Sequence, residues 1–91
     1  MIHQYKLNGY NIVLDVFSGS VHVTDDAAYE AIRLLNEGVS RENAGRILTQ
    51  MFAGQGITEQ DVDEIFADIE ELRRQGRLFT EDAYQDAKYD L

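Results

Sequence analysis

The sequence predicts an α+β domain of the winged helix-turn-helix type, in which three antiparallel strands precede three helices. Apolar and polar residues alternate over the first 24 positions, and from Asp25 onward apolar residues recur at the spacing of an amphipathic helix. Glycine-containing turn signals separate these segments, notably at Asn8-Gly9 and Gly38. With 91 residues and 44% apolar composition, the chain is expected to form one domain around one core.

The strand region predicts a meander over residues 2–7, 10–17 and 20–24. Asn8-Gly9 is typical of a two-residue hairpin turn because both residues tolerate positive φ, and Ser18-Gly19 predicts a second turn of the same length. The resulting register places His22 opposite Asp15, where we expect a cross-strand ion pair.

This register also sorts the strand residues into two faces. The face expected to pack on the helices contains His3, Tyr5, Leu7, Tyr10, Ile12, Leu14, Val16, Val21 and Val23. The opposite face is mostly polar, and its apolar exceptions are Ile2, Val13 and Phe17.

Each predicted helix has a start signal and an apolar stripe. The predicted N-caps are Asp25 or Asp26, then Ser40, then Thr58, which pairs with Asp61 in a variant of the capping box. The predicted inward stripes are Ala28, Ile32 and Leu35; then Ala44, Ile47, Leu48 and Met51; then Val62, Ile65, Phe66, Ile69 and Leu72. Residues 77–80 are expected to return to the core as a wing-like segment, which completes a domain of residues 1–80, and residues 81–91 to form a linker or tail.

Composition disfavours several functions. The net charge of −9 would repel a phosphate backbone and attract a basic partner, so a DNA-reading role for the acidic third helix is not expected. The chain has no cysteine, and neither histidine has a serine or cysteine partner at a recognisable catalytic spacing. We therefore expect no catalysis, no metal site and no cofactor in this chain. No signal peptide or membrane-length apolar run is evident, which predicts a cytoplasmic protein without a membrane partner.

The third strand is expected to be an edge of the sheet. The first strand carries Lys6, a usual guard against pairing, whereas Val21–Thr24 contains no lysine, proline or glycine. Such an edge can accept an added strand from a peptide, or its backbone can simply be hydrated, and strand chemistry leaves both interpretations open.

Three stretches resemble a known family. Residues 2–16, IHQYKLNGYNIVLDV, and residues 18–26, SGSVHVTDD, are similar to the amino terminus of radical S-adenosylmethionine maturases that install thioether cross-links in cysteine-rich ribosomal peptides. Residues 76–82, GRLFTED, resemble the junction that precedes the catalytic barrel of those enzymes. The resemblance implies a leader-peptide recognition element, similar to the small chaperone of pyrroloquinoline quinone biosynthesis.

In that family the precursor's leader segment binds as an added strand beside the third strand and packs on the third helix. The residues implied here are Ser20, Val21, His22, Val23 and Thr24 on the strand, with Val62, Phe66, Ile69 and Arg73 on the helix. The family's cluster-binding cysteine motif and barrel are absent from this chain. S-adenosylmethionine and iron–sulfur clusters are therefore expected only in a radical catalytic domain joined to it in cis. The alternatives are a generic acidic winged-helix adaptor for proteins and, less favoured, a transcriptional regulator.

Overall fold

The computed structural model describes residues 1–79, which form a three-stranded sheet followed by three α-helices. The strands are β1 (Ile2–Leu7), β2 (Tyr10–Asp15) and β3 (Ser20–Thr24). The helices are α1 (Asp26–Asn36), α2 (Arg41–Met51) and α3 (Glu59–Arg74), with a short 3₁₀ turn at Ala53–Gln55. This order confirms the predicted α+β fold, βββααα. Thr80 and the predicted tail at 81–91 lie outside the described residues.

The first hairpin has the predicted register and turn. Asn8 and Gly9 both adopt positive φ, at 52° and 83°, which is the backbone of a two-residue turn that follows the twist of the strands. Leu7 pairs with Tyr10, and Tyr5 pairs with Ile12. The antiparallel sheet order is β1-β2-β3, so β3 is an edge strand.

The second hairpin differs from its prediction. β2 ends at Asp15 rather than Phe17, and Asp15 pairs with Ser20 across a four-residue loop. The buried Asp15 carboxylate accepts hydrogen bonds from the amides of Phe17 and Ser18, while its carbonyl accepts one from Gly19 at 2.8 Å. An aspartate that satisfies the loop's own amides stabilises this longer turn in preference to a two-residue one.

The changed loop length shifts the β2–β3 register. His22 pairs with Val13 instead of Asp15, so the predicted His22–Asp15 ion pair is wrong. Val21 pairs with Leu14, and Val23 pairs with Ile12. The shift is two residues, so each side chain of β3 remains on the face that alternation predicts.

The prediction of which face packs on the helices is wrong. Val13 is fully buried and Ile2 nearly so, whereas Val21 and Val23 are 60% and 64% exposed. α1 contacts all three strands on the face that contains Ile2, Gln4 and Val13. Alternation defines two faces, but the direction in which the chain leaves β3 decides which of them α1 covers.

Two polar residues on the covered face, Gln4 and Asn11, form hydrogen bonds to α1 and to the residues at its start. The Gln4 side-chain amide donates to the Tyr29 carbonyl at 2.9 Å. The Asn11 amide donates to Asp26 at 2.8 Å and to the Thr24 carbonyl at 3.1 Å. These bonds remove most of the cost of placing amides in a sheet–helix interface.

The helices begin at the predicted caps. Asp25, Ser40 and Thr58 each accept a hydrogen bond from a backbone amide in the first turn, and Thr58 and Asp61 complete the reciprocal capping box. α2 and α3 pack on α1 and on each other, so α1 lies between them and the sheet.

The central position of α1 makes its buried surface wider than the predicted stripe. Ile32 of that stripe is buried, whereas Ala28 and Leu35 are only partly so. The buried residues of α1 are Ala27, Tyr29, Ala31, Ile32 and Leu34. Met51, in the predicted stripe of α2, is 46% exposed.

Candidate peptide-binding surface

The free edge of β3 is the first component of the candidate surface. Within the described residues, the backbone of Val21, His22 and Val23 forms no hydrogen bond to any element except β2. Both ends of the strand have side-chain partners, since the Ser20 amide donates to the Ser18 hydroxyl and the Thr24 carbonyl accepts from Asn11. The middle of β3 therefore presents the alternating donors and acceptors to which an added strand pairs.

A side-chain contact ties β3 to the segment that follows α3. His22 Nε2 lies 2.8 Å from the carbonyl oxygen of Arg77. Because a carbonyl only accepts, Nε2 must carry the proton in this bond. Leu78, next along the chain, is fully buried, and Phe79 packs on the edge of the core. The predicted return of this segment to the core is therefore confirmed through Phe79.

An open cavity of about 600 Å³ lies between the helices and this returning segment. We name it the α3 cavity, and its lining residues are Leu35 of α1, Arg41 of α2, Phe66, Ala67, Ile69, Glu70 and Arg73 of α3, and Phe79. Its size is that of sites that accept one or a few side chains of a ligand. Phe79 is only two residues from the Arg77 carbonyl that contacts β3.

The cavity combines apolar walls with two guanidinium groups. Arg41 lies over the Phe66 ring at 5.2 Å from its centroid and also pairs with Asp63 at 3.7 Å. Arg73 pairs loosely with Glu70 at 3.9 Å. Both ion pairs are largely solvent-exposed, so each holds its arginine only weakly. The cavity thus places two cations and one carboxylate among the lining residues of a strongly acidic chain.

The structure brings together three of the four helix residues implied by the resemblance. Phe66, Ile69 and Arg73 line the cavity, because positions spaced by three or four residues share one face of a helix. Val62 does not join them. It is buried against α2, where a Cβ added at Gly45 would lie 3.7 Å from its Cγ1.

The five remaining lining residues were not predicted. Glu70 has the same helical spacing from Phe66 and Arg73 and could have been found from it. Ala67, also on α3, stands three residues before Glu70 and has the same kind of spacing. The other three, Leu35, Arg41 and Phe79, needed the packing of α1, α2 and the returning segment on α3.

The strand residues divide between the two faces of the sheet. Val21 and Val23 project from the face that no helix covers, and Ser20, His22 and Thr24 are half-buried on the other. A peptide would therefore contact β3 mainly through the backbone edge of the strand, and the side chains of β3 would project above and below that edge.

Other candidate chemistry in residues 1–79 is sparse. The one resolved pKa shift is that of Arg33 on α1, raised by hydrogen bonds to Glu30 and Glu37, and none of these three residues lines the cavity. No group of three or more histidine, aspartate or glutamate side chains is arranged to hold a metal ion in this part of the chain. No helix within it has the length and apolar composition needed to cross a bilayer.

Comparison of the chain with protein-family models gives no match, and comparison with curated proteins gives no significant one.

Proposed function

We propose that this chain binds an extended peptide, the leader segment of a ribosomally made precursor, as a fourth strand on the edge of β3. The observation that carries the proposal is the free outer edge of Val21–Val23, whose backbone pairs only with β2 within the described residues. Through His22 and Arg77 this edge is linked to the segment that lines the α3 cavity. Backbone pairing supplies affinity independent of sequence, and a neighbouring cavity supplies selectivity for particular side chains.

The α3 cavity is the proposed site for an anchoring side chain of the leader. Phe66, Ile69 and Phe79 offer apolar contact to an aliphatic or aromatic residue. Arg41 and Arg73 suit a carbonyl or carboxylate at the rim of that pocket. Over longer distances the net charge of −9 favours a leader that is basic overall.

The proposed partner enzyme is a radical S-adenosylmethionine maturase of the thioether-forming type, joined to this domain in cis. The resemblance of residues 2–26 and 76–82 to such maturases supports this assignment. Under this proposal, the winged-helix-type domain described above is non-catalytic and cytoplasmic. It delivers the leader, while the catalytic domain supplies S-adenosylmethionine, iron–sulfur clusters and the chemistry.

The direct test is a titration of the ¹⁵N-labelled chain with the leader peptide of a precursor encoded beside it. We expect amide shifts centred on Ser20–Thr24 and on Phe66–Arg73, with a Kd on the order of 1–10 μM because ordering a flexible peptide offsets part of the gain. Amides of Val21–Val23 that point away from β2 should exchange rapidly in the free protein and slowly in the complex.

A cavity-filling variant tests the anchor without removing a core residue. Ala67 is exposed and lines the cavity, so Ala67→Leu adds side-chain volume to the cavity. Leucine is also a strong helix former, so the change should leave α3 intact. We expect a loss of leader affinity of about tenfold. The matched control is Ala53→Leu, at an exposed alanine outside the cavity, which should leave the affinity unchanged.

Saturating leader without shifts on β3 would exclude the proposed function for this chain. The acidic adaptor for another protein would then be the better interpretation. Shifts on β3 with equal affinities for the two alanine variants would retain strand addition and reject the cavity as the anchor site.

A further inference from the structure

The sheet has an outward surface that no described element covers. We name it the outer sheet face, and it consists of His3, Tyr5, Leu7, Tyr10, Ile12, Leu14, Val21 and Val23. The pairing register arranges these residues in cross-strand rows, of which the central one is Tyr5–Ile12–Val23. Leu14 and Val21 follow on one side, and Leu7 and Tyr10 on the other.

The outer sheet face is unusually apolar for a solvent-exposed surface. Tyr5 is 44% exposed, and Leu7, Tyr10, Val21 and Val23 are each between 57% and 64% exposed. Together they present on the order of 600 Å² in one contiguous patch, at the upper end of what monomeric proteins expose. The covered face of the sheet holds the polar residues Gln4, Asn11 and Asp15 beside Ile2 and Val13, whereas the mostly apolar outer face is open.

The distribution of charge favours a second copy of this chain as the occupant of this surface. The chain carries 17 acidic and 8 basic residues, yet the outer sheet face contains no aspartate, glutamate, lysine or arginine. Two copies that meet through this face bring no carboxylates together, whereas contacts through the exposed acidic surface of α3 would oppose like charges. Two molecules of charge −9 therefore approach each other through this face at a lower electrostatic cost than through α3.

Area and shape fit a second copy as well. A patch on the order of 600 Å² from each copy buries about 1,200 Å² in total, which reaches the lower end of specific interfaces. Sheets pack face to face about 10 Å apart with interdigitating side chains, and a twofold axis near Ile12 would set the central row against its own copy. We infer that the outer sheet face is a homodimer interface, with two sheets packed against each other and their helices outside.

This arrangement uses neither the backbone edge of β3 nor the α3 cavity, the two components of the proposed leader site, although the side chains of Val21 and Val23 lie beside that edge. Strand addition uses the backbone edge of β3 and extends the sheet in its own plane. The dimer uses the outer face of the sheet, from which side chains project perpendicular to that plane. Each copy of the dimer would keep its β3 edge and α3 cavity open, so failure of either proposal leaves the other in place.

The test is sedimentation velocity of the 91-residue chain from about 1 to about 300 μM. We expect the mass to rise from 10.4 kDa toward twice that value with concentration. The variant Tyr5→Lys places a cation in the central row and, across the twofold, a like cation beside it, so the dimer Kd should rise at least tenfold. Met51→Lys is the control, because it makes the same charge change at a similarly exposed apolar residue on α2 and should leave the Kd unchanged.

A second measurement keeps the inference testable even if Tyr5→Lys folds poorly. In a mixture of isotopically labelled and unlabelled wild-type chains, intermolecular nuclear Overhauser effects should connect Tyr5, Ile12 and Val23. A chain that stays monomeric at 300 μM would overturn the inference. A dimer that survives Tyr5→Lys would also overturn it. Intermolecular contacts on the backbone amides of β3 would overturn it in favour of edge-to-edge pairing.

Discussion

Val13 and Val23 lie on adjacent strands and have opposite environments. Val13 is fully buried beneath α1, and Val23 is 64% exposed on the outer sheet face. Both are apolar, β-branched and well suited to a strand, so neither propensity nor alternation distinguishes them. At this scale, the tertiary arrangement alone determines which of the two valines contributes to the core.

The matched pair Val13→Ala and Val23→Ala measures that difference. We expect Val13→Ala to lower the free energy of unfolding by about 2 kcal/mol, because it removes buried methyl groups and leaves a cavity. Val23→Ala should change it by less than about 0.5 kcal/mol in the monomer. Urea unfolding at low micromolar concentration provides both values. A larger loss for Val23→Ala would show that the helices pack on the other face.

At the scale of elements, local signals control where each helix begins. α3 is the clearest case, since the Thr58 hydroxyl accepts from the Asp61 amide at 3.2 Å and the Asp61 carboxylate accepts from the Thr58 amide at 3.0 Å. These bonds form within four residues and need no tertiary partner. The second hairpin also follows a local rule, because Asp15 satisfies the amides of its own loop, but several loop lengths are compatible with that sequence.

Removal of the Thr58 cap of α3 should lower the free energy of unfolding modestly, and a second substitution can separate the cap from the methyl group. We expect Thr58→Ala to lower the free energy of unfolding by about 1 kcal/mol, because the amide of Asp61 loses its acceptor. Thr58→Ser keeps the hydroxyl and should retain most of the stability. Thermal or urea unfolding followed by circular dichroism measures the difference. Equal losses in the two variants would mean that the methyl group of Thr58, rather than its cap, is responsible.

For the whole molecule, charge distribution separates the candidate functions. The exposed acidic residues of α3 include Glu59, Asp63, Asp68, Glu70 and Glu71. This is the helix that would enter a DNA groove in a winged-helix regulator, and its field repels phosphate. In contrast, the α3 cavity and the outer sheet face offer apolar contact with few carboxylates, which suits peptide or protein partners.

The absence of DNA binding is therefore a further prediction. A duplex of about 25 base pairs should show no mobility shift with about 50 μM protein at 50 mM salt, where electrostatic binding is strongest. A basic winged-helix domain on the same duplex serves as the positive control. Retardation that weakens as salt rises would instead support the transcriptional regulator.

The sequence by itself determined the order and type of the elements, the Asn8-Gly9 turn and the three helix caps. These depend on interactions between residues close in the chain, such as the positive φ of a turn or a hydroxyl three residues from an amide. Phe66, Ile69 and Arg73 were implied, together with Val62, by the resemblance to a known family, and helical spacing accounts for the shared face of the three that line the cavity.

The register of β3 follows from the loop that Asp15 closes, which the sequence alone did not distinguish from a two-residue turn. Only the tertiary structure decided which face of the sheet α1 covers and which walls complete the α3 cavity. Alternation along a strand is symmetric with respect to the two faces, so the path of the chain after Thr24 makes the choice. The side-chain amides of the half-buried Gln4 and the buried Asn11 then form hydrogen bonds on and around α1, and the side chains of Tyr5 and Val23 are left exposed. The physical reason is that burial is a property of packed elements and not of any one of them.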